Sequence, residues 1–259
     1  MRETNPHVWI AALRASQDDF ARLVGPMTAE QLAEPSYHIW TIGEVVKHVG
    51  ASSALFDAYL DAALAGSAPP GPDAFAPLMR AWNDRAVDQL KSDALTQSER
   101  LVRRYEAFTD EELAHLRLNF FGIEMDAAAL TMFRLTELSV HVWDIAVSRQ
   151  PSATIAQPAV DLMVDDAVSL LVSRREPGDR EFRLGIETTS PRRRFTLSAV
   201  AGKMRLQADE SHPLDGNLMI PAEALIRLVY HRLDPDHTPH VSITGSVSLE
   251  DLRGLFPPV

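Results

Sequence analysis

Apolar residues recur every three or four positions along the chain up to about Arg149, the period of helices that bury one face. "HVWIAALRASQDDFARLV" carries this spacing and stops at "GPMT". "TIGEVVKHVGASSALFDAYLDAALAG" opens with T-x-x-E, Thr41 to Glu44, the signature of a capping box, and beyond that box runs without a breaker to Gly66, apart from Gly50. After the Pro- and Gly-rich "SAPPGPDAF", the spacing predicts a third helix over roughly Leu78 to Tyr105. A short capped turn over "FTDEELAHL" and a fourth long helix from about Met125 to Arg149 follow. Four long helices joined by modest loops predict an antiparallel bundle.

Beyond "RQPSATIAQP" the period changes. A helix is expected from Ala159 to Arg174, and then come short alternating or β-branched runs: "EFRLGIETT", "RRRFTLSAV", "KMRLQADES", "GNLMIPA" and "HVSITGS". "PAEALIRLVYHRL", with Pro221 in its first turn, and "SLEDLRGLF" read as helices among them. The fold class expected is therefore α plus α+β: a helical bundle over residues 1–156 and a small α+β domain over residues 157–259. No internal repeat or low-complexity segment interrupts this plan.

Composition narrows the function. A net charge of −11 argues against a nucleic-acid groove or an anionic membrane surface. The absence of cysteine excludes disulfides, thiolate zinc sites and a protein thiol nucleophile. No signal-peptide core and no membrane-length apolar run is found, so a cytoplasmic protein is expected. No heptad seam predicts an oligomer, and the oligomeric state stays open.

Within "LTELSVHVWDIA", Glu137 and His141 stand four apart, on one face of the fourth helix and at the margin of the arc formed by Leu130, Phe133, Leu138, Val142 and Ile145. Arg134 and Asp144 project from the same side. Polar groups turned into a bundle need partners, since each left unsatisfied costs about 1–3 kcal/mol. An internal Arg–Glu–His–Asp network and a metal site both satisfy that need. His48, at the edge of the second helix's stripe of Ile42, Val45, Val46, Val49 and Phe56, offers a third ligand. Two imidazoles and one carboxylate on zinc leave a position open for water or substrate. "HRLDPDHTPH" holds a competing cluster, His231, His237 and His240 with Asp234 and Asp236, in what reads as an exposed loop, and "SPRRRF" reads as a solvated basic turn.

"WTIGEVVKHVG" and "LTELSVHVWDI" resemble the paired motifs of the mycothiol-dependent maleylpyruvate isomerase family, within the wider DinB-like metal-binding four-helix proteins. "GNLMIPAEALIRLVYHRL" followed by "VSITGSVSLEDL" resembles that family's sterol-carrier-like C-terminal domain. The resemblance implies a metal held by His48, Glu137 and His141, with Asp144 as the aspartate that follows the histidine. It also implies an arginine facing the site at Arg232. The family's Gly-Arg pair reads His231–Arg232 here, so the arginine matches and the glycine does not.

On this resemblance the metal is zinc or another divalent ion. The nucleophile is mycothiol or a similar low-molecular-weight thiol, whose pKa coordination lowers from about 8.5. Addition of the thiolate to a small-molecule electrophile, rotation and elimination would isomerise a maleylpyruvate-like acid, and retention of the adduct would make the protein an S-transferase. Arg232 and Arg134 are expected to bind a substrate carboxylate, and Asp144 to orient His141. A hydrolase using zinc-activated water, and a non-catalytic small-molecule-binding protein, are the alternatives.

Overall fold

The computed structural model describes residues 4–208 and 213–256, and the chain divides into two compact units, one running to Ala153 and the other starting at Thr154. In the first unit four long helices are α1 (Pro6–Val24), α3 (Ile42–Leu64), α5 (Val87–Ala107) and α7 (Ala127–Arg149). Between them lie α2 (Ala29–Leu32), α4 (Pro72–Asn83), α6 (Asp110–His115) and a hairpin of β1 (Arg117–Phe120) and β2 (Ile123–Asp126). Thr41 and Glu44 form the reciprocal capping box that their spacing predicts, and Thr109 with Glu112 caps α6 in the same way.

The long helices close a ring in which α1 packs against α5 and α7, and α3 against the same two. Their directions differ from the antiparallel bundle expected. Along α3 and α5, partner numbers rise together: Gly50 lies against Ala94, buried Asp57 meets Gln97, Arg100 and Arg104, and Asp61 meets Arg104. These two helices are therefore parallel. Partners fall between α3 and α7, where His48 meets Glu137 and Ser52 meets Arg134, and between α1 and α5, where Arg14 meets Glu106 and Gln17 meets Ser98. The parallel pair requires a crossover, and α4 supplies it. The single helix expected over Leu78 to Tyr105 is accordingly two helices, separated at residues 84–86. Gly50 lets α3 approach closely, because a Cβ there would sit 2.3 Å from the Trp82 ring and 3.0 Å from Ala94 Cβ.

The second unit contains α8 (Gln157–Met163), α9 (Ala167–Val172), β3 (Phe182–Thr189), β4 (Arg193–Val200), β5 (Lys203–Ala208), β6 (Gly216–Pro221), α10 (Ala222–Val229), β7 (Ser242–Gly245) and α11 (Leu249–Leu255). The helix expected over Ala159 to Arg174 is broken between α8 and α9, where Asp165 turns to take two nitrogens of Arg193. Pro221 ends β6 and caps α10, one place before the first turn expected of it. The five predicted strand runs all form strands, except that the Asp-Glu-Ser end of "KMRLQADES" lies outside the described residues.

The sheet order is β5-β4-β3-β6-β7, parallel between β3 and β6 and antiparallel elsewhere. Alternation selects its buried face: Phe182, Leu184 and Ile186 of β3, Phe195, Leu197 and Ala199 of β4, and Leu218 and Ile220 of β6 all turn inward. Helix α9 contacts β5, and α10 contacts β3 and β6.

Candidate metal centre

Two helix starts position the cluster. The Thr41 box fixes the first turn of α3, and Asp126 accepts from the Ala129 amide to start α7. From these origins His48 of α3 meets Glu137 and His141 of α7. His48 Nε2 lies 2.5 Å from Glu137 Oε1, and His141 Nε2 lies 3.5 Å from the same oxygen. The potential ligand atoms of the three residues all fall within 4.8 Å of one another, the one such grouping of His, Asp and Glu among the described residues. His141 Nδ1 is engaged by buried Asp144 at 2.9 Å, which aims the other ring nitrogen at the cluster. His48 and Glu137 are partly exposed, whereas His141 and Asp144 are buried, so the cluster opens on one side.

A loop unremarked in the sequence covers part of that opening. Ser36 donates its amide to the Trp40 carbonyl at 2.8 Å and its hydroxyl to the Asp144 carbonyl at 2.8 Å. The closed loop lays Trp40 5.2 Å from the His48 ring centroid and stacks it on His141 at 5.9 Å. Neighbouring Ile39 is 91% exposed.

Burial alone would raise the Glu137 carboxyl, but the His141 charge and the bonds from both imidazoles hold it well below its ordinary value of 4.5. Burial would lower His141, yet the Glu137 charge and the Asp144 bond prevail and raise it from 6.5 to about 9. A group raised on folding adds stability that is full below its unfolded value and is lost as pH rises through the folded one. Stripped of metal, the protein is therefore expected to lose stability between about pH 6.5 and 9, read as a falling urea midpoint. Glu137 acts in the opposite sense, with stability present above pH 4.5 and lost only in stronger acid. His141→Gln should flatten the alkaline limb, and an unchanged limb in that variant would refute the assignment.

Arg134 takes a different place from the one expected. It is fully buried, donating to Ser52 at 3.0 Å, Ser53 at 2.7 Å and Ser98 at 3.1 Å, so its guanidinium is turned into the bundle and away from any solvent-borne carboxylate. Burial lowers it to about 10, against the opposing charge of Glu137.

Arg232 lies just after α10, donating to the Tyr230 carbonyl at 2.8 Å. His231, which stands where the family's glycine would, has φ of 59°, the left-handed conformation glycine favours. Its ring bonds the Phe256 carbonyl at 2.6 Å and holds the turn. The turn thus takes a left-handed conformation at a residue that is not glycine.

The competing histidine cluster forms no ligand group among the described residues, since His237 instead pairs with Asp234 at 2.9 Å and closes the loop. The basic turn is likewise paired: Arg192 and Arg194 meet Glu187, and Arg193 meets Asp165.

A family model described as the mycothiol maleylpyruvate isomerase N-terminal domain matches residues 13–146, more than half of the 259-residue chain. The chain belongs to this family. The crystal structure of the mycothiol-dependent maleylpyruvate isomerase is similar in fold, with a TM-score of 0.68 at 15% identity, covering 94% of this chain and 95% of that one. A mutant of that isomerase gives a TM-score of 0.69 at the same identity and coverage. The bundle followed by a sheet-containing unit is thus the isomerase fold across nearly the whole chain. No curated protein matches the sequence. No described helix is long and apolar enough to cross a membrane.

Proposed function

We propose that this protein is a metal- and thiol-dependent enzyme that isomerises a cis-enedioic acid of the maleylpyruvate kind, with mycothiol or a similar small thiol as cosubstrate. The observation that carries the reading is the Glu137 carboxylate set between two imidazole Nε2 atoms in a chain of this family. Two neutral imidazoles and a carboxylate suit zinc, and the ligand atoms already lie within 4.8 Å of one another. A divalent metal bound there would supply a Lewis acid that lowers the pKa of a coordinated thiol.

The chain's own residues prepare for that chemistry. Asp144 holds His141 in the orientation that presents Nε2, and Glu137 brings the negative charge that offsets a cation. Trp40 lies against both imidazole rings and forms one wall of the opening. The thiol has to come from outside, because the sequence contains no cysteine.

The test is turnover of maleylpyruvate followed by ultraviolet absorbance, with and without added mycothiol. The expected result is conversion to the trans isomer only when thiol is present. A persistent thioether product would make the protein an S-transferase, metal-dependent consumption without thiol a hydrolase, and retention of the acid without turnover a binding protein.

A further inference from the structure

We propose that the open face of the five-stranded sheet binds a small polyanion carrying phosphate or carboxylate groups, at a site that shares no residue with the metal cluster. The register lines up the groups concerned. Arg183 of β3 pairs with Ser198 of β4, and Ser198 pairs with Arg205 of β5, so two arginines flank one serine across three adjacent strands. Two strand spacings separate the arginine Cα atoms by roughly 10 Å, and both long side chains can reach a ligand seated over the serine.

The neighbouring positions extend the pattern. Thr196 pairs with Gln207 one step along the same face, and Lys203 stands two residues from Arg205 on the edge strand. Short side chains on β4 and long ones on the strands to either side leave a concavity of about 450 Å³, floored by Ser198 and Thr196. Its lining holds three cations and, among the described residues, no carboxylate. This is a local reversal of sign in a chain of net charge −11.

Like charges gathered on one sheet face oppose each other. An oxyanion with two or more charges removes that opposition, because each guanidinium offers a planar pair of N–H donors matched to carboxylate or phosphate. Ser198 and Gln207 add neutral donors, and the open concavity admits a small ligand.

The test uses the full-length protein labelled with 15N and titrated with sodium phosphate in one arm and sodium succinate in the other. Chloride keeps the ionic strength constant. Saturable shifts centred on the Arg183, Ser198 and Arg205 amides are expected, and the arm with the tighter midpoint distinguishes phosphate-bearing from dicarboxylate ligands. Arg183→Gln and Arg205→Gln should each weaken binding about tenfold, the scale of one charge-assisted contact. Lys203→Gln, on the exposed edge strand, provides a further variant, and unchanged spectra elsewhere report the fold. Shifts that do not saturate, that spread equally over exposed arginines and lysines, or that survive all three substitutions would overturn the proposal.

Discussion

Protein purified without a tag is expected to carry about one zinc per chain, as a single three-ligand site requires, and His48→Ala and Glu137→Ala should each carry none. Either change removes a ligand from a set of three, and Glu137→Ala also removes the only negative charge among them. Turnover should fall by roughly a thousandfold or more, the scale on which a Lewis-acid centre contributes several kcal/mol to a barrier. Asp144→Asn tests the next layer. It keeps a group of the same shape beside His141 Nδ1 but removes the charge, and metal affinity should drop about 10–100-fold with the site still able to fill.

Elemental analysis, paired with circular dichroism to show that the helices persist, separates the two readings that the residues alone leave open. A hydrogen-bond network satisfies His48, Glu137 and His141 without an ion, and a protein built only for that would take up no zinc even when offered it. Metal bound by the intact protein and lost in both alanine variants requires the ligand role. Metal retained in Glu137→Ala would move the site elsewhere.

What the sequence discloses depends on how locally each feature is encoded. The cores of α1, α3 and α7 are visible because helical spacing of apolar residues is a property of one segment. His48, Glu137 and His141 are visible for a related reason: each is a polar group at the margin of an apolar stripe, and such a group needs a partner. The parallel course of α3 and α5 is not visible, because direction is set by the connection and nothing in "WNDRAV" carries a Pro or Gly to mark where α4 ends. The β1–β2 hairpin escapes notice for want of an Asn-Gly or Asp-Gly turn. Phe121 and Gly122 fill its two positive-φ positions instead, at 50° and 84°. Trp40 has no period to betray it, and its place beside the imidazoles depends on Ser36 folding the loop back onto α7. Arg134 shows the limit of face arguments. It shares a side of α7 with Glu137, yet one turn of separation along the helix takes its side chain down into the bundle, to serines on α3 and α5.

That burial leads to a second large effect. Arg134→Ala is expected to destabilise the protein by about 3–5 kcal/mol, since it empties a fully buried volume and strips Ser52, Ser53 and Ser98 of a shared donor. Arg134→Met should cost far less. It fills most of the volume, and all three serines keep other bonds: Ser52 and Ser53 still donate to the Val49 carbonyl at 3.2 Å and 2.6 Å, and Ser98 to Gln17 at 2.5 Å. Methionine also removes a buried cation whose guanidinium Nε has no partner, so the desolvation cost of that charge disappears. Urea denaturation of the two variants gives the comparison directly. The same methionine variant tests the position of the side chain against its sequence-based role: an arginine that held a substrate carboxylate would leave KM raised many-fold when replaced. The serine-bound arginine predicts a KM within about twofold of the parent, because only about 0.4 kcal/mol separates values that close. A large rise in KM with stability unchanged would return Arg134 to the substrate, whereas a stable Arg134→Met protein with an ordinary KM fixes it as the polar joint between α3, α5 and α7.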